Sequence, residues 1–97
     1  MTLRAIHAYF LSMILITPEI IEDTRAKCYE VAVFRPITVG LMTEMRSLVQ
    51  EHLEQIGCDL DGIVCDLTNN PPDIIDRGRL VIHVYERSTQ LLHEILL

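Results

Sequence analysis

The clearest periodic pattern in the chain is a stripe of apolar residues at three- and four-residue spacing between Thr38 and Gly57. Such spacing places the apolar side chains on one face of a helix. Thr38 is a candidate N-cap residue, and Gly57 suits the left-handed position that follows a last helical turn. The pattern therefore predicts a long amphipathic helix whose buried stripe consists of Met42, Met45, Leu48, Val49, Leu53 and Ile56.

The region before this helix contains three further segments. An apolar run at 8–16 is too short for a membrane span, which needs about 20 residues, and we interpret it as a buried element or an arm that packs on a neighbour. Thr17 followed by Pro18 is typical of a helix start, which predicts a helix from Pro18 to Lys27. The alternating aromatic and Val residues of 29–34 predict a strand that ends at Arg35-Pro36.

A strand, a rigid turn and a second strand are predicted for the region 63–85. The first strand, 63–65, follows Gly62, which we interpret as a breaker. Asn residues tolerate unusual backbone angles, Pro residues fix φ, and Asp66, Asp73 and Asp76 could cap backbone amides. Pro72 could begin one short helical turn that Gly78 stops. The residues predicted to build the turn are Cys65, Asp66, Asn69, Asn70, Pro71, Pro72 and Asp76.

The two final segments are both predicted to be strands. Leu80, Ile82 and Val84 would share one face of the first; the opposite face is also mostly apolar, so we expect both faces to be covered. In the segment Leu91–Leu97 the side chains would alternate between the two faces of a strand. This strand would be a terminal, apolar edge strand that is prone to pair with another chain. It could pair with the strand 80–85, or leave the body and complete a neighbour's sheet by strand addition.

Composition narrows the possible classes of protein. The 97 residues are enough for one domain, and 49% hydrophobic residues are ample for a core. A formal charge of −6 argues against non-specific nucleic-acid binding. Eight acidic residues and only one basic residue, Arg46, lie between Glu44 and Asp76, so this face could meet a basic partner or could simply aid solubility. Three cysteines without CxxC spacing suggest reduced thiols in a cytosolic protein.

No segment carries a recognisable catalytic or metal-binding motif. The run Asp59–Gly62 looks like a fragment of a calcium loop, but the closing Glu is missing at the required distance. Cys58 with His52 lacks an orienting third group for nucleophilic catalysis. A zinc site is also disfavoured, because no usual ligand spacing is found among Cys58, Cys65, His83 and His93. We therefore expect a protein that is not an enzyme and that has no cofactor, metal or catalytic site.

The region Tyr29–Tyr85 resembles the C-terminal domain of contractile-tail sheath proteins of bacteriophages and related injection machines. The resemblance rests on the order of its parts: a strand, a Phe34-Arg35-Pro36 turn, a long helix, a strand into Cys65-Asp66, an Asn-Asn-Pro-Pro turn and an apolar strand. The resemblance implies a domain on the inner side of a sheath, against the tail tube. It also implies terminal arms that add strands to the sheets of neighbouring subunits.

These observations predict one α+β domain over residues 1–97, with a small mixed β-sheet packed against one long helix. Residues 1–16 would form an N-terminal arm and residues 89–97 a C-terminal strand arm. The resemblance implies a structural subunit of a phage tail, either a minimal sheath subunit or a sheath initiator or baseplate component. Its partners would be copies of itself or sheath subunits, the tail tube protein and baseplate proteins, without nucleic acid or membrane insertion, in a virion tail assembled in the host cytoplasm.

The residues expected at the interface by strand addition are Leu80, Ile82, Val84, Leu91, Leu92, Ile95 and Leu97. The alternative that the residues leave open is a small regulatory or ligand-binding domain on the same scaffold, because fold does not fix function.

Overall fold

The computed structural model describes residues 13–97, so most of the predicted N-terminal arm lies outside the described residues. Helices and strands follow in the order α1-α2-β1-α3-β2-β3. Their bounds are Pro18–Ala32 for α1, Val39–Ile56 for α2, Leu60–Val64 for β1, Pro72–Asp76 for α3, Val81–Glu86 for β2 and Leu92–Leu96 for β3. The predicted α+β class is confirmed.

The three strands form one antiparallel sheet with β2 in the centre. The expectation of a mixed sheet is therefore wrong for these strands. Parallel pairing within residues 13–97 is limited to a single bridge between Ile14 and Cys58, in which the Ile14 N–H donates to the Gly57 carbonyl over 3.0 Å. This bridge anchors the segment that leads into α1 beside the start of β1.

Helix α1 begins as predicted and ends later than predicted. The Thr17 hydroxyl accepts from the Ile20 N–H, and Pro18 occupies the first turn. The predicted strand 29–34 is wrong, because the helix runs on to Ala32. Thr24 and Cys28 are fully buried four residues apart, so one face of the helix packs inward past Lys27. That packing overrides the strand preference of the Val residues that follow.

Helix α2 confirms its prediction at both ends. The Thr38 hydroxyl accepts from the Leu41 N–H over 3.1 Å, and Gly57 adopts the left-handed conformation with φ of 107°. This conformation favours glycine because it has no Cβ. The most deeply buried residues of the helix are Leu41, Met42, Met45, Val49 and Leu53. Because α2 packs on both α1 and β1, this stripe forms the centre of the core.

The sheet has one covered face and one partly open face. Ile82, Val84 and Ile95 lie on the inner face and are at most 1% exposed. The outer face includes Tyr85, which is 41% exposed, so the expectation that both faces are covered is wrong for the outer one. Gly62 lies inside β1, at an irregularity of the register, and does not precede the strand as a breaker.

Candidate assembly surface

Strand β3 is an outer strand of the sheet, and one of its edges is open. Leu97 and Leu80 exchange both N–H···O bonds, at 2.9 and 3.3 Å, which sets the phase of the ladder between β2 and β3. Because alternate residues of an antiparallel strand point their backbone groups away from the partner, those of Leu92, Glu94 and Leu96 point away from β2. No other segment of residues 13–97 pairs with this side. We call these backbone groups the β3 edge.

The side chains of the same three residues lie on the outer face of the sheet. Leu92 and Leu96 are 51% and 50% exposed, and Leu91 just before them is 56% exposed. Between the two leucines, Glu94 Oε2 lies 3.0 Å from His83 Nε2. The cross-strand pairs of this face are Leu92 with Tyr85, Glu94 with His83, and Leu96 with Val81. The open edge and this largely apolar face adjoin each other.

The residues predicted for strand addition divide into two groups in the structure. Leu91 and Leu92 are exposed beside the β3 edge, and Leu97 is half-buried. The others lie on the inner face of the sheet in the core: Leu80, Ile82, Val84 and Ile95. Both edges of β2 are occupied within the chain, so β2 presents no free edge. Of the two arrangements left open for Leu91–Leu97, the described chain shows pairing with its own β2.

The turn after β1 is held together by a fully buried asparagine side chain. Asn70 Nδ2 donates to the carbonyl oxygens of Asp66 and Val81, at 3.1 and 2.9 Å, while Asn70 Oδ1 accepts from the Val81 N–H over 2.7 Å. The side chain therefore joins the start of the turn to the start of β2. Both the NH2 group and the oxygen of the amide are hydrogen-bonded, so this polar side chain is buried without an unsatisfied donor or acceptor group.

Asn69 makes a second set of bonds across the same gap. Its Oδ1 accepts from the Asp66 N–H over 3.0 Å, and its Nδ2 donates to the carbonyl oxygens of Val64 and Val81 at 2.9 and 3.2 Å. Its Nδ2 also lies 3.4 Å from His83 Nδ1. We call Asn69 and Asn70 the asparagine clamp. Neither residue has a positive φ, and both instead bond the nearby backbone of Asp66 through their side chains, as asparagine often does in turns.

The remaining predicted turn residues have simpler roles. Cys65 is buried in the core, and Pro72 begins α3 directly after Pro71, while Gly78 follows the helix with a positive φ of 71°. The Thr68 hydroxyl and N–H both donate to the Asp66 carboxylate and lower the pKa of that group. The capping prediction is confirmed for Asp66. It is wrong for Asp73 and Asp76, which are exposed and cap no amide within residues 13–97.

Glu86, at the end of β2, is a buried carboxylate that sequence reasoning missed. Its side chain is 1% exposed and accepts three hydrogen bonds: at 2.8 Å from the Ile16 N–H, at 2.8 Å from the Thr89 hydroxyl and at 2.9 Å from His93 Nε2. Burial disfavours the charged form, but these donors outweigh it and lower the pKa of Glu86. Since the carboxylate accepts, His93 carries a proton on Nε2.

The cysteines and histidines considered for chemistry do not come together in the described chain. Cys58 is buried, and burial raises the pKa of its thiol, which opposes formation of the nucleophilic thiolate. His52 Nε2 lies 3.4 Å from Asp23 Oδ2 and makes no hydrogen bond with any described residue. His83 and His93 pair with separate glutamates, and residues 13–97 contain no cluster suited to a metal ion.

A shallow apolar groove of about 470 Å³ lies between the end of α1 and the end of β3. Phe34 stands at its rim with a positive φ of 65° and a fully exposed ring. Arg35 beside it pairs with Glu44 at 2.6 Å. Other apolar residues of the lining include Tyr29, Ile37, Ile75 and Leu97. The groove is open to solvent and does not enclose a ligand-sized cavity.

No helix within residues 13–97 is long and apolar enough to cross a membrane. Comparisons of the chain with protein-family models, with curated proteins and with solved structures found no significant match.

Proposed function

We propose that this chain is a structural, non-enzymatic subunit of a contractile tail, a sheath or sheath-like tail component that joins its neighbours by strand addition. The observation that carries the proposal is the β3 edge. Its outward backbone groups have no partner within residues 13–97, and exposed Leu91, Leu92 and Leu96 adjoin it. An open apolar edge of this kind is a template for pairing with another chain.

The turn that carries the resemblance is held by a network of side-chain hydrogen bonds, which suits the proposed role. The motif that resembles sheath proteins, Asp66 to Pro72, is where the asparagine clamp ties β1 to β2. The clamp ties the central strand β2 to β1, and β3 pairs along β2, so the sheet that carries the β3 edge is ordered within the single chain. Pre-organisation of that kind reduces the ordering cost of association.

The partners of this subunit would be copies of itself or other sheath subunits at the β3 edge, together with tube and baseplate proteins. The acidic residues of α2 offer a charged surface for a basic partner. Glu51 and Glu54 are exposed on it, and neither forms an ion pair within residues 13–97. Complementary charge of this kind would favour encounter and orientation more than affinity.

The structure points to a sharper test of strand addition than removal of the last strand. Deleting Leu91–Leu97 would also take Ile95 out of the core. The Glu94 N–H, in contrast, belongs to the β3 edge and takes no part in the ladder with β2. Glu94→Pro removes that donor at a position where an edge strand tolerates proline. Glu94→Ala is the matched control, because it removes the same pairing with His83 and keeps the N–H.

The measurement is the solution mass by light scattering across a concentration series. We expect the wild type and Glu94→Ala to associate as concentration rises, and Glu94→Pro to remain smaller while its circular dichroism stays that of the folded chain. Equal association of the proline and alanine variants would refute addition at the β3 edge. A wild type that stays monomeric at every concentration, alone and with tail proteins, would refute the assembly role itself.

The groove beside Phe34 is the observation that favours the alternative, a small ligand-binding domain. Its apolar lining could accept an apolar molecule, although most of such a molecule would remain in contact with solvent. A monomeric wild type that binds an environment-sensitive apolar dye, with loss of binding on Ile75→Asp, would favour this role over assembly.

A further inference from the structure

Glu86 brings together two segments that are far apart in the sequence. Ile16 lies on the segment leading into α1, and its N–H donates to Oε2 of the carboxylate from 70 positions away. His93 lies on β3 and donates to Oε1. Thr89, in the turn between β2 and β3, donates to the same Oε1. One buried carboxylate thus holds the N-terminal segment and the C-terminal strand.

The carboxylate stays in place because all three donors act at once. A buried ionised carboxylate without donors costs several kcal/mol of free energy, and such a group moves to water or takes up a proton. The two bonds to Oε1 also fix the rotation of the group, which aims Oε2 at Ile16. Loss of a donor from β3 would therefore weaken both the burial and the orientation on which the Ile16 bond depends.

We propose that Glu86 couples the two terminal segments, so that release of β3 loosens the segment around Ile16 and release of that segment loosens β3. Ile16 and His93 make no hydrogen bond to each other, and the partner that they share is the Glu86 carboxylate. In physical terms it is an interaction free energy between two sites that share one partner. The coupling is a property of the single chain and does not depend on the proposed tail role.

A contact elsewhere in the sheet supplies a matched control. His83 also pairs with a glutamate across β2 and β3, Glu94, at 3.0 Å. That pair lies on the outer face and is partly exposed, whereas Glu86 is buried on the inner face with Ile16. Removing either histidine takes one His–Glu contact from the same pair of strands. Only the removal of His93 is expected to accelerate hydrogen exchange of the Ile16 amide.

The experiment is amide hydrogen exchange on the full chain, with the exchange rate of Ile16 divided by that of Val49 in the centre of α2. This ratio separates local loosening from global destabilisation, which accelerates both amides. We expect His93→Ala to raise the ratio about tenfold, as loss of a charge-assisted bond would. Thr89→Val should raise it as well. His93→Gln, which keeps a donor, and His83→Ala should leave it close to the wild-type value.

A variant cycle tests whether the effect passes through the carboxylate. In a Glu86→Gln background, His93→Ala should add little to the ratio, because the shared acceptor has already changed. An Ile16 ratio that is the same in His93→Ala and His83→Ala would overturn the coupling. So would an effect of His93→Ala that persists in full in the Glu86→Gln background. If His93→Ala does not fold, Thr89→Val and the same cycle decide the question.

Discussion

The asparagine clamp, in the turn after β1, and the β3 edge differ in how their polar groups are bonded. At the clamp, Asn70 is fully buried, and both halves of its amide bond to the backbone of Asp66 and Val81. At the β3 edge, the backbone groups of Leu92 and Leu96 face outward beside half-exposed side chains. The clamp therefore contributes to the stability of the single chain. The β3 edge contributes little to that stability and is free to contact another chain.

The largest effect on the free energy of unfolding is expected at the clamp. Asn70→Ala removes four hydrogen bonds and leaves the Val81 N–H buried without its acceptor. Such a group carries its desolvation cost in full, so we expect a loss of about 3 kcal/mol. The measurement is urea unfolding followed by circular dichroism. A loss below about 1 kcal/mol would contradict the view that the clamp holds β1 to β2.

How far the sequence predicts this structure depends on how local each signal is. Thr17, Thr38 and Gly57 mark helix ends through bonds to neighbouring residues, and those helix ends are confirmed. The end of α1 differs from the prediction because burial of Cys28 against the rest of the core overrides the strand preference of Val31. Tertiary packing of this kind leaves no signal in a short sequence window.

In the candidate site, too, the sequence predicts local features and does not predict contacts between distant residues. The types of Asn69, Asn70, Pro71 and Pro72 predict a turn, since asparagine and proline have local effects on the backbone. The bonds from Asn70 to Val81 were not predicted, and neither was the role of Glu86. Its partner Ile16 lies 70 positions away, and a glutamate at the end of a strand is ordinarily exposed. Only the antiparallel pairing of β2 with β3 reveals which backbone groups form the β3 edge.

The second-largest effect is expected at Glu86, as a dependence of stability on pH. The pKa of Glu86 is lowered in the folded state, because its three donors outweigh the effect of burial. A lowered pKa means that the charged form stabilises the fold above the ordinary glutamate pKa. This stabilisation is lost as the pH falls through the folded-state value. Unfolding by urea at a series of acidic pH values should show a steeper loss in the wild type than in Glu86→Gln.

Other carboxylates with lowered pKa values, Glu22, Glu44 and Asp66, are present in both proteins. Their contributions therefore cancel in the difference between the wild type and Glu86→Gln. Parallel pH profiles for the two proteins would show that Glu86 gives no net stabilisation in its charged form.

A smaller effect on the free energy of unfolding, an increase, is expected on substitution of Phe34. The same variants test whether an exposed apolar residue away from the β3 edge also drives association. Its positive φ of 65° is unfavourable for a residue with a Cβ, and its fully exposed ring has no packing to lose. Phe34→Gly should therefore raise the free energy of unfolding by about 0.5–1 kcal/mol. Phe34→Ala keeps the unfavourable backbone and should not. Weaker self-association in both variants would show that the β3 edge is not the only apolar contact between chains.

The smallest effect on stability, with a clear effect on assembly, is expected at Leu92. Leu92 is half-exposed opposite Tyr85, so Leu92→Thr loses one cross-strand contact and keeps a good strand residue, at a cost of about 0.5 kcal/mol. Leu67, in the turn that the clamp holds, is 56% exposed and provides the matched control. Light scattering should show weaker association for Leu92→Thr and an unchanged mass for Leu67→Thr. If both substitutions weaken association equally, general surface hydrophobicity explains the association. The β3 edge would then have no larger role in assembly than the turn that the clamp holds.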